Sequence, residues 1–268
     1  MSTITIHGLS RIFNGVNATY STKNDQLFRS LEKDHVSGLR TGIFTDNDSC
    51  ESWISKGVKD SLRFNKNSEK LFCASVYKAD LKYAQGKGKA CTIKSKPGVV
   101  LERFISYDAK NKILKVGMKD GKYILLSMSG AKKGIELYKA GQYMIDAFKQ
   151  TDKDNLEFKI PLIDMEEVLD LQKLGVVGKT VAVTKPANHP GYLIASATQE
   201  NMFQLSLTGV KAKSVTRVAL LKTGKPTTPP KKKVVIVDKP FLVAIFNKGC
   251  DNPEFVAHCP VSVWKNPN

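Results

Sequence analysis

The sequence predicts a single α+β domain over residues 1–268, with mixed and antiparallel β-sheets. Its 268 residues, 41% of them hydrophobic, can bury one substantial core. Two continuous apolar runs, 234–237 and 241–246, are rich in β-branched and aromatic residues and are too short for typical helices. A third run, 254–258, follows a segment with turn chemistry. We therefore expect buried C-terminal strands, the last two of which form an antiparallel hairpin.

The corner between the first two runs carries the most specific motif. Pro240 lacks a backbone donor, so it belongs at a strand start or edge. The run Val235–Ile245 (VIVDKPFLVAI) resembles the C-terminal signature of the serpin family. Pro253–His258 (PEFVAH) is similar to that family's Pro-x-Phe-x-Gly-Arg ending, with Ala257 and His258 in place of the Gly and Arg. A serpin-like fold is therefore the first hypothesis.

Other segments resemble the same family in the same order along the chain. They are Leu9–Phe13 (a strand in the family) with Gln26–Leu31 (a short helix), Ser52–Leu62, Leu71–Ala79 (the central strand of the main sheet), and Phe158–Ile160 with Val168–Gly175 (a strand and a helix). The family domain normally opens with several helices before the first of these strands. The resemblance therefore implies an α+β serpin-like fold with flanking helices, in which the N-terminal helices are missing. Because such a loss would uncover a sheet face, we expect self-association into a homo-oligomer.

The basic segment 208–233 corresponds by resemblance to the serpin reactive loop, the bait that a target protease cleaves. In inhibitory serpins the first part of this loop then inserts as a new strand into the main sheet, which requires small or apolar side chains at alternate positions. The residues that would form this hinge are Gly209, Val210, Ala212 and Ser214, and they permit insertion.

Counting along the loop places the scissile bond near Lys222, Thr223 or Lys225. Pro226 would hinder cleavage after Lys225, so Lys222 is the better candidate, and a lysine there suits a trypsin-like serine protease.

Other positions argue against inhibition. The residues Cys73, Leu81 and Glu200 replace the family's Asn, Trp and His that help to control opening of the main sheet. The usual acidic, alanine-rich hinge is also absent.

The second strong feature of the sequence is its formal net charge of +17. Such an excess of cations attracts polyanions such as nucleic acid or heparin-like chains. Two acid-free spans, 81–101 and 208–237, hold many of the lysines and are expected to be exposed loops. The residues that we expect to contact a polyanion are Lys82, Lys87, Lys89, Lys94, Lys96, Lys211, Lys213, Arg217, Lys231, Lys232 and Lys233. Contacts of this kind would be salt-sensitive and tolerant of sequence.

Several classes of protein are disfavoured by what the sequence contains. It shows neither a signal-peptide pattern nor a run of eighteen apolar residues, so no membrane span is expected. Its five cysteines, an odd number without dense spacing, favour a reduced intracellular chain. The four histidines lie at no spacing diagnostic of a metal or nucleophile site, so we expect no catalytic residues, no metal and no cofactor.

The main hypothesis is a non-enzymatic, non-inhibitory serpin-like protein with a binding or structural role. It would engage a polyanion, assemble with itself, or both, and a small basic chain of this kind would suit a viral or virion role. One alternative is a serine protease inhibitor that presents Lys222 as bait. Another is a basic nucleic-acid-binding protein of unrelated fold.

Overall fold

The structure is a computed structural model. It describes residues 3–4, 6–15, 25–31, 34–36, 39–44, 47–56, 72–128, 130, 132–149, 156–170, 180–181, 192–193, 198–213 and 233–266. The described helices are α1 (His7–Gly15), α2 (Asp25–Ser30), α3 (Asn47–Lys56) and α4 (Ile135–Ala147), with a short 3₁₀ helix at Val261–Val263.

The described strands fall into three larger sheets and one two-stranded sheet. In chain order they are β1 (Thr3–Ile4), β2 (Leu39–Phe44), β3 (Phe72–Lys82), β4 (Lys89–Ile93), β5 (Lys96–Leu101), β6 (Ile105–Asp108), β7 (Ile113–Gly117), β8 (Tyr123–Ser127), β9 (Leu156–Pro161), β10 (Ile163–Asp170), β11 (Thr180–Val181), β12 (Tyr192–Leu193), β13 (Thr198–Leu205), β14 (Gly209–Lys213), β15 (Lys233–Ile236), β16 (Phe241–Phe246) and β17 (Phe255–Cys259).

The larger sheets have six, five and four strands. Their orders are β1-β17-β16-β8-β7-β6, β10-β13-β14-β3-β2 and β15-β9-β5-β4, and β11 pairs with β12. Among the described ladders, only β15 with β9 is parallel. The predicted α+β class with mixed and antiparallel sheets is confirmed.

The predicted C-terminal hairpin is also confirmed, as strands β16 and β17. Phe241 lies opposite Cys259, and Ile245 lies opposite Phe255. Strand β8 pairs with the other edge of β16, so β16 is an interior strand and every one of its residues is buried. A continuous apolar run is what burial on both faces requires.

The first apolar run, 234–237, holds most of strand β15 but is only partly buried, with Val237 in the core and Val235 packed against it. Strand β15 lies at the end of the four-stranded sheet, so the Asp238–Pro240 corner crosses from one sheet to another. Val234 and Ile236 are 44% and 46% exposed. The run alone could not show this, because apolar residues on an edge strand and in a core look the same in sequence.

Two segments differ from the family resemblance. Leu9–Phe13 was expected to be a strand but lies within helix α1. Leu9, Ile12 and Phe13 recur at helical spacing, which suits the packing of α1 on β2 and β3. Val168–Asp170, expected to begin a helix, instead extends strand β10, because β13 pairs with β10 along its whole length. Residues 171–175 lie outside the described residues.

The core is built from residues of all three larger sheets, and one part of it lies between the five-stranded and six-stranded sheets. Phe255 of β17 stacks on Phe203 of β13, with ring centroids 5.7 Å apart, and on Tyr77 of β3, with centroids 6.4 Å apart. All three side chains are almost fully buried. This aromatic stack fixes the position of β3 and β13, the two strands that flank β14.

Candidate functional site

Strand β14 lies inside the five-stranded sheet, between β13 and β3. It pairs antiparallel with both, so Val210 lies opposite Leu205 on one side and opposite Leu81 on the other. The expectation of an exposed loop is therefore wrong for 209–213. An interior position lets the backbone donors and acceptors of β14 pair on both edges, which an exposed loop would leave to water.

The side chains of β14 alternate between the two faces of the sheet. Val210 and Ala212 are fully buried, whereas Lys211 lies on the opposite face with its side chain 45% exposed. The Lys211 ammonium is 3.7 Å from a carboxylate oxygen of Asp80 on β3. This is the period-two pattern that entry into a sheet requires, with small side chains inward and a long basic one kept in contact with solvent.

Gly209 is the residue at which β14 begins. A Cβ atom added there would lie 1.8 Å from the carbonyl oxygen of Leu81 and 2.9 Å from Cα of Lys82. Both atoms belong to the backbone of β3, which cannot rotate away as a side chain can. Only glycine fits this approach of the two strands.

The rest of the predicted loop is only partly covered by the structure. Strand β14 ends at Lys213 and β15 begins at Lys233, and for both residues only the backbone is described. The residues outside the described part are Ser214, Arg217, Lys222, Thr223, Lys225, Lys231 and Lys232. Their roles as hinge, bait or polyanion contacts stay predictions.

The second lysine-rich span, 81–101, is not an exposed loop either. It holds the end of β3 and the whole of β4 and β5, which pair as a hairpin. Its lysines take part in polar contacts: Lys89 lies 2.9 Å from Glu102, Lys94 donates to the Asp238 carbonyl, and Lys96 donates to Asn266. Lys94 also lies 3.6 Å from a carboxylate oxygen of Asp238, so at Lys89 and Lys94 the local positive charge is lower than the composition suggested.

A buried polar cluster lies beneath strand β3. The Tyr77 hydroxyl donates to Oε2 of Glu254 over 2.9 Å, and the Lys122 ammonium pairs with the same oxygen. All three residues are buried: Tyr77 and Glu254 are each 1% exposed, and Lys122 is 6% exposed. Burial, together with the charge of Glu254, raises the pKa of Tyr77 well above its usual value. The hydroxyl therefore stays protonated and acts as a hydrogen-bond donor.

A second polar cluster joins four parts of the chain. Nε2 of His7, on α1, lies 3.1 Å from Oδ2 of Asp34, and the side-chain amide of Asn252 donates to the same oxygen over 2.9 Å. The amide of Gln142, on α4, donates in turn to Asn252. Burial lowers the pKa of His7 although Asp34 acts to raise it. The contacts tie α1 and α4 to the turn between β16 and β17.

Sequence reasoning missed both clusters. The available signal was a charged residue directly before an apolar strand, as at Lys122 before β8 and Glu254 before β17.

In the register of the sheet, Lys213 at the end of β14 lies opposite Lys78, so Tyr77 is the first inward residue of β3 beyond that point. The Tyr77 cluster therefore lies one residue beyond the end of β14, counted along β3.

The described residues contain no group of three or more His, Cys, Asp or Glu residues that could hold a metal ion. No described helix combines the length and apolar character needed to cross a membrane. Of the positions that depart from the family pattern, Leu81 is buried in β3 and Glu200 is exposed on β13, while only the backbone of Cys73 is described. The cysteines with described side chains, all of them free thiols, are Cys50, Cys91, Cys250 and Cys259.

Known proteins resemble this chain in structure, whereas the two comparisons by sequence find no match. No protein-family model matches the chain, and no curated protein matches it in sequence. Solved structures do match: mouse protein Z-dependent protease inhibitor is 12% identical, over 97% of this chain and 91% of that chain, with a TM-score of 0.58. The fold is serpin-like.

Two further serpin-like matches cover nearly the whole chain. A cleaved, loop-inserted ovalbumin mutant is 10% identical, over 96% of this chain and 92% of that chain, with a TM-score of 0.60. Human thyroxine-binding globulin in complex with thyroxine is 8% identical, over 96% and 90%, with a TM-score of 0.56. The similarity therefore extends to one protein named as an inhibitor and to one named for binding a small ligand.

Proposed function

We propose that this chain is a non-enzymatic, non-inhibitory serpin-like binding protein whose ligand is a polyanion. The observation that carries the proposal is the charge: 42 Lys and Arg residues against 25 Asp and Glu residues, a formal net charge of +17. On a stable serpin-like scaffold, an imbalance of this size favours nucleic acid or heparin-like chains as partners through long-range attraction.

The position of β14 supports a non-inhibitory role. In serpins that trap proteases, the loop enters the main sheet after it has been cleaved, whereas here 209–213 are already paired on both sides. Fewer loop residues would then remain whose insertion into the sheet could drive the trapping of a protease.

A protease inhibitor is the second candidate function, and one observation favours it. Val210 and Ala212, proposed as part of the hinge, are fully buried, which supports their compatibility with the sheet interior. Under this alternative Lys222 would be the bait for a trypsin-like serine protease. The third hypothesis, a nucleic-acid-binding protein of unrelated fold, is wrong because the fold is serpin-like and contains the C-terminal hairpin.

Incubation with trypsin separates the first two functions. We expect cleavage within the basic segment without loss of trypsin activity, and the Lys222→Ala variant should move or slow that cleavage. A covalent complex that survives SDS, formed by the wild-type chain and not by Lys222→Ala, would establish inhibition instead.

Chromatography on immobilised heparin and single-stranded DNA tests polyanion binding. Retention should fall steeply as salt rises, because each phosphate or sulfate contact releases counterions. Failure to bind either matrix at low salt, or retention that is indifferent to salt, would overturn the proposal.

We also propose that the chain associates with other copies of itself and acts in an intracellular or virion setting. Edge strand β15, which exposes Val234 and Ile236, offers a surface for pairing with another copy. Sedimentation of the chain across a range of concentrations should therefore show concentration-dependent association.

A further inference from the structure

The turn between β5 and β6 presents an exposed aromatic side chain in a strained backbone conformation. Phe104 is 65% exposed and has φ of 56°, a left-handed conformation that is rare for a bulky residue. Such strain persists only where neighbouring groups hold the backbone in place, and it is concentrated at functional positions.

Contacts from the turn after β3 and from the end of β7 hold Phe104 in this conformation. The side-chain carbonyl of Gln85 accepts the backbone N–H groups of Glu102 and Arg103, over 3.0 Å and 2.9 Å. The N–H of Gly117 donates to the Phe104 carbonyl over 2.8 Å. A Cβ atom at Gly117 would lie 3.3 Å from that carbonyl oxygen, which is tighter than most such contacts. The turn is therefore braced, and the ring faces solvent from a fixed backbone.

The same hydrogen bonds bring cationic side chains to this surface. The N–H of Lys119 donates to the Lys82 carbonyl over 2.9 Å, and the N–H of Ala84 donates to the Gly117 carbonyl over 3.0 Å. Exposed Lys82, at the end of β3, and exposed Arg103 and Lys119, in turns, thus lie on backbone segments that are hydrogen-bonded to one another next to Phe104. We call these four residues the Phe104 surface. Two exposed acids, Asp120 and Asp80, adjoin it, and Asp80 lies 3.7 Å from the Lys211 ammonium, while Glu102 is paired with Lys89.

We infer that the Phe104 surface binds single-stranded nucleic acid, with a base stacked on Phe104 and phosphates against Lys82, Arg103 and Lys119. This inference rests on the proposed polyanion function and names its site and ligand class. Proteins that bind single strands combine a basic surface with exposed aromatic rings, on which unpaired bases stack. In duplex DNA the faces of the bases are covered by their neighbours, so a ring on the protein surface cannot reach them.

The alternatives fit this surface less well. A heparin-like chain has no aromatic face, so it would use the cations and leave Phe104 without a function. The core of a protein interface is typically depleted of charged residues, whereas here a single ring lies among three cations.

The test is fluorescence anisotropy of a labelled oligo-dT of about 20 nucleotides, longer than one site, with heparin binding measured in parallel on the full-length chain. Phe104→Ala should weaken oligo-dT binding by roughly 5- to 150-fold, the range for loss of one stacked base. It should leave heparin affinity unchanged, and Phe104→Tyr should keep most of the oligo-dT affinity. Tyr143→Ala, which removes an equally exposed ring on α4, should change neither affinity.

Phe104→Gly provides a second variant, because glycine adopts the left-handed conformation without strain and removes the ring without threatening the fold. Equal oligo-dT affinity for wild type, Phe104→Ala and Phe104→Gly would overturn the inference and leave the polyanion function standing. Equal losses of heparin and oligo-dT affinity in these variants would also overturn it. If wild type binds neither ligand, the proposed function itself fails.

Discussion

At the scale of single residues, strand β14 fits beside β3 only because residue 209 is a glycine. Gly209 approaches the backbone of β3 so closely that an added Cβ atom would overlap the Leu81 carbonyl. Val210 and Ala212 then fill the inward positions, and Lys211 reaches Asp80 on the outer face. Residues 209–212 are thus matched to the space and charge at their positions.

Gly209→Ala is therefore expected to weaken or expel β14. Forcing a methyl group against backbone should lower the free energy of unfolding by about 1–3 kcal/mol, the usual range for overpacking. Hydrogen exchange should show faster exchange of the 210–212 amides. Gly130→Ala is the matched control, since nothing lies within 4 Å of a Cβ atom there. Unchanged exchange in Gly209→Ala would show that β14 does not occupy the sheet in solution.

His7 predicts the pH dependence of stability. Burial lowers its pKa in the folded protein below the usual 6.5, and burial with the charge of Lys133 lowers the pKa of His258 in the same direction. As pH falls through 6.5, the unfolded chain therefore takes up protons before the folded chain does. Stability is fully present above this pH and is lost towards the lower, folded pKa values.

Urea unfolding at about pH 7.5 and about pH 5.5 measures this effect. The free energy of unfolding should be lower at the acidic pH, and the His258→Gln variant should show a smaller drop because, of the two described histidines with a lowered pKa, it keeps only His7. A free energy that rises on acidification would contradict the assignment of both lowered pKa values.

At the scale of secondary-structure elements, buried polar groups decide which strand ends meet. Glu254 before β17 accepts from Tyr77 of β3 and pairs with Lys122 before β8. A buried ion pair adds little net stability compared with apolar residues, but it penalises any arrangement that separates its partners. The cluster therefore favours one alignment of the five-stranded sheet over the six-stranded sheet.

Removal of one charge from this cluster should be more damaging than removal of both. Lys122→Met leaves a buried carboxylate without its cation, and Glu254→Gln leaves a buried ammonium without its anion, so each should cost about 3–5 kcal/mol. The double variant carries neither charge and keeps an acceptor for the Tyr77 hydroxyl, so it should recover at least half of that loss.

The exposed pair Lys139–Glu136 on α4 is the control, with side chains 58% and 62% exposed. Lys139→Met should change stability by less than about 0.5 kcal/mol. Losses that simply add in the Lys122→Met/Glu254→Gln double variant, measured by chemical denaturation, would contradict a coupled pair.

At the scale of the whole molecule, the aromatic stack joins the two larger sheets, so we expect them to unfold together. Phe255→Ala would leave a cavity against Tyr77 and Phe203 and should cost about 3–5 kcal/mol in a single thermal transition. Val261→Ala, at a side chain 43% exposed, should change stability by no more than about 0.5 kcal/mol. Two separate transitions in Phe255→Ala would show that the sheets are independent units.

Much of the C-terminal architecture was predictable because it depends on neighbours in sequence. The continuous apolar run of β16, the turn before Glu254 and the returning β17 form one local hairpin. The alternation of Val210, Lys211 and Ala212 was likewise readable from the chain. In contrast, Leu9–Phe13 was assigned to a strand by resemblance, although its own spacing suits the helix that packs on β2 and β3.

The sequence by itself determined the serpin-like class, the C-terminal hairpin and the excess of positive charge. Only the tertiary structure decided that β14 lies inside a sheet, that the lysines of β4 and β5 meet polar partners, and that Phe104 is exposed among cations. The physical reason is distance along the chain. Tyr77 and Glu254 are 177 residues apart, and no local pattern in either segment specifies a contact that forms only when two sheets pack together.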